Sequence, residues 1–332
     1  MTTFGTTAAI FGCLGPNLLP DEQAFFRDAD PFGFIIFARN VETPDQLYRL
    51  TSDLRASLGR DALVLVDQEG GRVQRLRQPY WRDWTPPFDE IAAAPNLATA
   101  CRRMALRASL IATELRAVGI DANCAPVADI ATDATHPFLR NRCYGTDATS
   151  VAAIARAVAD AYLAGGVLPV VKHLPGHGRA TGDTHLDLPT VTTDAATLSA
   201  TDFASFRALA DLPLAMTAHI VYPAYDAENP ATQSSRMIEV IRTDIDFQGL
   251  LITDDLNMQA LSGTLSERTK RAMNAGCDIA LHCKGDMDEM RAVAAAAGPM
   301  RADTLERAAR AMALRTSPQT DIAALEAALA DA

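Results

Sequence analysis

The sequence has 332 residues, which is enough for two average domains or for one (β/α)8 barrel of about 250 residues or more. Its content of 48% apolar and 21% charged residues excludes disorder, collagen and coiled coil as its main character. The formal charge of −11 argues against nucleic acid and anionic membranes as partners, so we expect a small or neutral ligand.

The N-terminal residues contain no basic segment, and their apolar stretch is too short and too broken to span a membrane. The six cysteines are scattered along the chain without a CxxC pair, which predicts reduced thiols and a cytoplasmic protein. They are Cys13, Cys101, Cys124, Cys143, Cys277 and Cys283.

Apolar, β-branched runs alternate with segments of helical periodicity from end to end. Runs that are apolar almost throughout are typical of parallel strands covered on both faces. The predicted strands are residues 8–13, 32–37, 62–67, 121–127, 168–173, 214–220, 250–255 and 277–283. The predicted helices include residues 45–59, 98–119, 151–165 and 264–276, and two more in the C-terminal tail, about 303–332.

Eight such units predict an α/β fold, a (β/α)8 TIM barrel that forms a single domain over residues 1–332 with the C-terminal helices packed on it. A doubly wound sheet is the alternative. Its usual nucleotide signature, GxGxxG after the first strand, is missing, because the sequence there reads GCLGPN.

Polar residues follow most of the predicted strands, where barrel enzymes carry their chemistry. These are Asp67 and Arg75 after strand three, Asp129, His136 and Arg142 after strand four, Lys172, His173, His177, Asp183 and His185 after strand five, then His219, Asp254, Asp255 and His282. All six histidines lie at or beyond strand ends, so we expect all of them to face one mouth.

Each of these groups also has a structural interpretation. The DQEGG segment can be an ordinary turn, and Lys172 can form a salt bridge at the rim. His219 and His282 fit hydrogen-bonded core histidines, one of Asp254 and Asp255 can cap the following helix, and the two tryptophans, Trp81 and Trp84, fit loop packing. Their joint occurrence at adjacent strand ends nevertheless favours a functional site.

Three chemistries are compatible with this set. His173, His177, His185, His219 and an aspartate could bind zinc, and Lys172 could form a Schiff base. Glycoside hydrolysis needs one carboxylate at the sugar centre and a separate acid for the leaving oxygen. In that case Asp183 would orient His185 as the acid, and Asp254 would be the nucleophile.

Five segments resemble glycoside hydrolase family 3, and most of all its single-domain cytoplasmic β-N-acetylhexosaminidases of peptidoglycan recycling. They are VDQEGGRVQRLR (66–77), NRCYG (141–145), VKHLPGHGRATGDTHLDLP (171–189), MTAHIVYP (216–223) and GLLITDDLNMQAL (249–261). They occur in the family's order within residues 32–285, which covers essentially the whole predicted barrel.

The resemblance implies a retaining β-N-acetylglucosaminidase with Asp254 as nucleophile and His185, paired with Asp183, as general acid/base. It implies that Asp67, Arg75, Arg142, Lys172 and His173 bind the sugar. The implied substrates are GlcNAc-1,6-anhydroMurNAc and its muropeptides, with no metal, organic cofactor or obligate protein partner. Leu174 and Cys143-Tyr144 depart from the family's usual Phe and Ser-Phe, and we expect these changes to affect affinity more than mechanism.

Three alternatives stay open beside this interpretation. One is a zinc-dependent, amidohydrolase-like barrel, and another is a catalytically silent barrel that only binds sugar. Within the glycosidase interpretation, both water and phosphate are candidate acceptors of the glycosyl group.

Overall fold

All eight predicted strands form in the computed structural model, which describes residues 4–182 and 188–332. The strands are β1 (Thr7–Gly12), β2 (Pro31–Ile36), β3 (Leu63–Val66), β4 (Ala122–Asn123), β5 (Leu168–Leu174), β6 (Leu214–Thr217), β7 (Leu250–Ile252) and β8 (Ala280–His282). They run parallel in one sheet and pair in the order β7-β6-β5-β4-β3-β2-β1-β8.

The sheet closes on itself. β8 returns to β1, where Ala9 lies opposite Ala280, and a single parallel bridge joins Ile252 at the end of β7 to Ile279 just before β8. Every strand therefore has a neighbour on both sides. The fold is the predicted (β/α)8 barrel, and the doubly wound alternative is wrong.

Several strands are shorter than predicted, and two of them, β4 and β7, end where the sequence turns to site residues. β4 keeps only two residues of the predicted 121–127, because the Ala125 N–H turns back to the carbonyl of Asn123 at 2.8 Å and does not reach a neighbouring strand. Beyond this point Val170 and Lys172 of β5 donate to the carbonyls of Ala125 and Pro126 at 3.0 and 3.1 Å. β7 ends at Ile252, and the Thr253 hydroxyl then accepts the N–H of Leu281 at 2.9 Å. The backbone is thereby released from the ladder just before Asp254.

Helices follow the strands and cover the outside of the barrel, as apolar strands of this kind require. The helices are α1 (Pro20–Ala29), α2 (Pro44–Leu58), α3 (Pro87–Ala92), α4 (Leu97–Ala117), α5 (Pro137–Arg140), α6 (Ala148–Ala164), α7 (Ala195–Ala200), α8 (Asp202–Arg207), α9 (Ser235–Thr243), α10 (Leu265–Ala275), α11 (Met287–Ala297), α12 (Ala302–Met312) and α13 (Ile322–Ala330). The predicted helices 45–59, 98–119, 151–165 and 264–276 are confirmed as α2, α4, α6 and α10.

Local sequence signals set the ends of these helices. Thr43 caps α2 by accepting the N–H of Gln46, and Gly59 ends that helix in the left-handed conformation. Thr264 and Glu267 form a reciprocal capping box at the start of α10. Such caps satisfy backbone groups that a helix leaves unpaired at its ends.

The tail contains the two predicted helices, and both contact the barrel. Asp278, buried before β8, accepts hydrogen bonds from Thr304 and Arg307 of α12 at 2.9 Å each, and from Arg242 at 2.7 Å. The last helix, α13, packs on α4. A buried carboxylate thus joins α12 to the end of the barrel that is opposite the site.

Two short hairpins and two 3-10 turns complete the described elements. The hairpins pair Gln68–Gly70 with Val73–Gln74 and Val221–Tyr222 with Asp226–Pro230, and the turns are Ala38–Asn40 and Ala231–Gln233. All six cysteines are free. Within residues 4–182 and 188–332, no helix combines the length and apolarity that crossing a bilayer demands.

Candidate active site

A cavity of about 200 Å³ opens at the carboxyl ends of the barrel strands. All five predicted sugar-binding residues and the predicted nucleophile line it: Asp67, Arg75, Arg142, Lys172, His173 and Asp254. Parallel strands deliver their carboxyl ends to one face of a barrel, which explains why residues so distant in the chain meet there. The predicted acid/base pair, Asp183 and His185, lies outside the described residues.

A row of alternating charges forms the polar wall of this cavity. The Lys172 ammonium lies 2.9 Å from Asp67 Oδ1 and 2.6 Å from Glu69 Oε1. Arg75 Nη2 donates to the other oxygen of Asp67 at 3.1 Å. Since Lys172 is only 2% exposed, these contacts take the place of the water that its charge has lost.

The neighbouring charges in this row keep one another's side chains in the ionised form. Burial alone would raise the pKa of Asp67, but Lys172 and Arg75 hold it well below its usual range. Burial would likewise lower the pKa of Lys172, but Asp67 and Glu69 raise it above its usual range. Lys172 is therefore held as an ammonium, a poor nucleophile, and this disfavours the Schiff-base chemistry considered for it.

Arg142 joins the same row through Glu69. Its Nε and Nη2 donate to the two oxygens of Glu69 at 2.9 and 2.8 Å, and Nη2 lies 3.5 Å from His173 Nε2. Burial would raise the pKa of Glu69, but Arg142 and Lys172 lower it to about 2. Arg142 therefore faces the cavity in a fixed orientation, as bidentate pairing with a carboxylate ensures.

Asp254 and Asp255 follow β7 and differ in their surroundings. Asp254 Oδ1 accepts the N–H of Asp255 at 2.8 Å. Burial would raise its pKa, but His219, His173 and that N–H hold the pKa of Asp254 below its usual range. Burial and the charge of Asp254 instead raise the pKa of Asp255 to about 6. Asp254 is therefore the stronger acid of the two.

Asp255 does not cap a helix. Its Oδ1 accepts the N–H of Asn257 at 3.1 Å and that of Cys283 at 3.2 Å, whereas Thr264 caps the next helix, α10. The expectation that one of the two aspartates caps the following helix is therefore wrong. Asp255 instead ties the turn after β7 to the end of β8.

The histidines do not all face one mouth, contrary to the expectation from their positions. His173 and His177 line the cavity. His136 caps α5 by accepting the N–H of Phe138 at 3.2 Å. His219 is fully buried between Thr232 and the carbonyl of Asp255, at 2.8 and 3.0 Å, so its interpretation as a hydrogen-bonded core histidine is confirmed.

His282 is buried too, but it is not a satisfied core histidine. Among the described residues neither ring nitrogen has a hydrogen-bond partner, and the ring packs edge-on against Phe11. Burial lowers its pKa to about 4, against the opposing charge of Glu289. The ring therefore stays neutral and packs beside β1, with Nε2 3.6 Å from Glu289 Oε2.

The remaining sequence features lie away from the cavity wall. Trp81 is buried in the core and Trp84 packs against Arg107, as loop packing predicts. The departures from the family pattern, Leu174, Cys143 and Tyr144, are all buried and none lines the cavity. Within residues 4–182 and 188–332, no group of three or more histidine, cysteine, aspartate or glutamate side chains is arranged to hold a metal ion.

Two carboxylates with a clear role in the site were not among the predicted site residues. Glu69 joins Lys172 to Arg142, and Asp129 lies 2.7 Å from His173 Nδ1. Their only signal in the sequence is their place after strands three and four. The cavity also has an apolar side, formed by Ile35, Phe37, Val73, Phe138, Met216, Met258, Leu281 and Cys283.

The chain is similar to known glycosidases over most of its length. The model of the "Glycosyl hydrolase family 3 N terminal domain" matches residues 21–312. The β-hexosaminidase of Methylococcus capsulatus is 37% identical over 281 residues, which cover 82% of this chain and 82% of that protein. The β-hexosaminidase of Pseudomonas aeruginosa is 36% identical over 288 residues, which cover 85% and 83%.

Solved structures give the same picture. NagZ from Neisseria gonorrhoeae, in complex with N-trifluoroacetyl-D-glucosamine, is 29% identical with a TM-score of 0.86, and the match covers 100% of this chain and 98% of that one. A family 3 β-N-acetylglucosaminidase from Paenibacillus is 29% identical with a TM-score of 0.81, and the match covers 98% of this chain and 62% of that longer chain.

Proposed function

The chain belongs to glycosyl hydrolase family 3, and on that premise we propose that it removes the terminal non-reducing GlcNAc from GlcNAc-1,6-anhydroMurNAc and its muropeptides in peptidoglycan recycling. It is a glycoside hydrolase with β-N-acetylglucosaminidase activity and acts on small sugar substrates. The observation that carries the proposal is the cavity in which Asp254 shares a wall with Asp67, Arg142 and Lys172.

The first half of the proposed reaction forms a covalent intermediate. An Asp254 oxygen attacks C1 of the GlcNAc residue, and the bond from C1 to the leaving oxygen breaks. His185 donates its proton to that oxygen, and Asp183 orients the imidazole and raises its basicity. The lowered pKa of Asp254 keeps the nucleophile ionised at neutral pH, and the saccharide leaves as the neutral alcohol.

The second half regenerates the enzyme. Neutral His185 accepts a proton from water as the water oxygen attacks C1, and the bond from C1 to Asp254 breaks. Two inversions at C1 give net retention, so β-GlcNAc is the first product. The charged wall formed by Asp67, Arg75, Arg142, Lys172 and His173 offers donors and acceptors to the sugar hydroxyls, with the cations held in place by Asp67 and Glu69.

We further propose a cytoplasmic location and no obligate protein partner. The six free cysteines support a reducing compartment.

The proposed function is tested by following GlcNAc release from an aryl β-GlcNAc and from GlcNAc-1,6-anhydroMurNAc with proton NMR. We expect release from both substrates with the β-anomer appearing first, and no release from the matching aryl β-glucoside. The absence of release, or the α-anomer first, would contradict the proposal.

Additional experiments distinguish the glycosidase from the alternative functions and from the alternative acceptor. Activity that is lost with a chelator and restored by zinc would favour the amidohydrolase-like enzyme, and binding of GlcNAc without turnover would favour the silent sugar-binding barrel. Reactions with inorganic phosphate distinguish the acceptors, since phosphorolysis would yield GlcNAc-1-phosphate in place of free GlcNAc.

A further inference from the structure

Asp129, in the segment after β4, uses both oxygens of its carboxylate beside the cavity. Oδ2 lies 2.7 Å from His173 Nδ1. Oδ1 accepts the backbone N–H of His177 at 2.6 Å and that of His173 at 3.3 Å. Asp129 is 0% exposed and does not itself line the cavity. Any role in the reaction must therefore pass through the residues that it holds.

The first contact fixes the state of the His173 ring. An ionised carboxylate only accepts hydrogen bonds, so Nδ1 carries the proton and the ring is held at that edge. The opposite nitrogen, Nε2, lies 3.5 Å from Arg142 Nη2, and Arg142 has only donors to offer. Nε2 is thus presented to Arg142 and the cavity as an acceptor.

The second contact fixes the backbone that leads to the predicted acid/base residues. The turn around His177 lies directly on the segment that carries Asp129. A Cβ added at Gly178 would fall 1.8 Å from the carbonyl oxygen of Ile130, so only glycine fits there. Thr135 also donates to the carbonyl of Gly178. This turn enters the segment that contains Asp183 and His185.

We propose that Asp129 is a positioning residue that holds His173 with Nε2 as an acceptor toward the substrate and anchors the turn at His177. The kinetic part of this inference rests on the proposed function. The tautomer of His173, in contrast, is a property of the folded protein and can be measured without turnover.

The Asp129→Asn variant separates the two contacts. The asparagine oxygen can still accept the N–H groups of His177 and His173, while its amide nitrogen must face Nδ1 and donate to it. The variant therefore keeps the backbone anchor but forces the proton of His173 onto Nε2, where it meets the donors of Arg142. The reverse orientation of the amide would set its NH2 against two backbone N–H groups.

Nitrogen-15 NMR of protein labelled at histidine reads the tautomer directly, and the His173→Ala spectrum identifies the signals of His173. We expect protonated Nδ1 in the wild type and protonated Nε2 in Asp129→Asn. The matched control is Asp121→Asn, because Asp121 is equally buried just before β4 and also accepts a backbone N–H, from Val64 at 2.8 Å. That variant should leave the signals of His173 unchanged.

Kinetics with an aryl β-GlcNAc show whether the tautomer matters to the reaction. We expect Asp129→Asn to lower kcat/KM at least about 10-fold, mainly through KM, because the wrong tautomer opposes substrate contacts. In a His173→Ala background the same substitution should cost less than about 3-fold, since two residues that act through one contact are not additive.

Two results would overturn the proposal. One is a tautomer of His173 that is unchanged in Asp129→Asn. The other is a fall in kcat/KM on Asp129→Asn that is as large in the His173→Ala background as in the wild type. If the wild type releases no GlcNAc from the aryl substrate, the proposed function fails and GlcNAc binding by calorimetry replaces the kinetics. Weaker binding by Asp129→Asn together with the reversed tautomer would then support the role of Asp129, and unchanged binding would overturn it.

Discussion

Glu69 accepts two parallel hydrogen bonds from Arg142, at 2.8 and 2.9 Å. The same carboxylate lies 2.6 Å from the ammonium of Lys172, and its side chain is 0% exposed. One buried anion therefore orients two of the cations that line the cavity. Because Glu69 itself does not line the cavity, its effect on the proposed sugar binding would pass through the placement of these two side chains.

The Glu69→Gln variant tests this arrangement. An amide keeps the shape of the side chain but turns an NH2 group toward partners that only donate. Arg142 and Lys172 therefore lose part of the negative charge that balances theirs. We expect KM for an aryl β-GlcNAc to rise at least about 10-fold and the free energy of unfolding to fall by about 3–5 kcal/mol. Steady-state kinetics and urea denaturation measure the two effects.

The matched control for this variant is Glu239→Gln, which removes an exposed partner of Arg236 on the surface of α9. Exposed pairs of this kind contribute little, so both the KM and the stability should remain close to those of the wild type. Wild-type KM and stability in Glu69→Gln would show that Glu69 does not hold the two cations.

Asp255 makes the stability of the protein depend on pH in a defined window. Burial and the charge of Asp254 raise its pKa from 3.8 to about 6. Between these values the folded protein binds a proton that the unfolded chain has released, so stability decreases as the pH rises from about 4 to about 6. This contribution is present in full below about pH 4 and is lost above about pH 6.

The Asp255→Asn variant should lack this decrease. We expect the difference in free energy of unfolding between wild type and variant to change by up to about 3 kcal/mol across the window, at about 1.4 kcal/mol per pKa unit. Urea denaturation at several pH values from 4 to 8 measures it. Parallel curves for the two proteins would show that the pKa of Asp255 is not raised.

Gly178 tests how closely the turn after β5 packs on the segment after β4. In Gly178→Ala the new methyl group would meet the backbone of Ile130 at 1.8 Å, and the backbone has no rotamer with which to give way. We expect a loss of stability on the order of 1–3 kcal/mol, as in other overpacked sites, together with lower activity.

The control for this substitution is Gly15→Ala, because an added Cβ at Gly15 meets no atom of the described residues within 4 Å. Its stability should stay within about 0.5 kcal/mol of the wild type. Thermal unfolding of the two variants side by side gives the comparison. Equal stabilities would mean that the turn can move away from Ile130 at no cost.

The sequence alone predicts the strands of this protein and several of the residues that line its cavity. Apolar runs located all eight strands, because a strand covered on both faces must be apolar along its length. The rule that barrel enzymes use strand ends then placed Asp67, Lys172 and Asp254 at one cavity. Here a simple periodicity and a topological rule were sufficient.

The same rule failed for His282 and His136, because a position at a strand end does not determine which way the side chain points. The roles of Glu69 and Asp129 were not predictable either. Each becomes visible only when its partner is brought close, across 73 residues for Arg142 and 44 for His173. The early end of β4 depends on the Ala125 N–H turning back to the carbonyl of Asn123, a local effect that the apolar pattern conceals.

The proposed role of His185 as general acid predicts a dependence on the leaving group. An activated aryl group departs without a proton, whereas the alcohol of a natural disaccharide does not. In His185→Ala we therefore expect kcat/KM to fall by about 10²–10⁴-fold for substrates with poor leaving groups and much less for a dinitrophenyl β-GlcNAc. Equal losses on both substrates would remove His185 from this role.

In the proposed mechanism Asp254 forms a covalent bond to the sugar. An activated fluorinated GlcNAc whose glycosyl-enzyme hydrolyses slowly can trap this bond, and intact mass spectrometry followed by peptide mapping locates it. We predict one sugar per chain, attached to Asp254, and no labelling of Asp254→Asn. Attachment to Asp255 or to any other side chain, or undiminished turnover of an aryl β-GlcNAc by Asp254→Ala, would contradict the account.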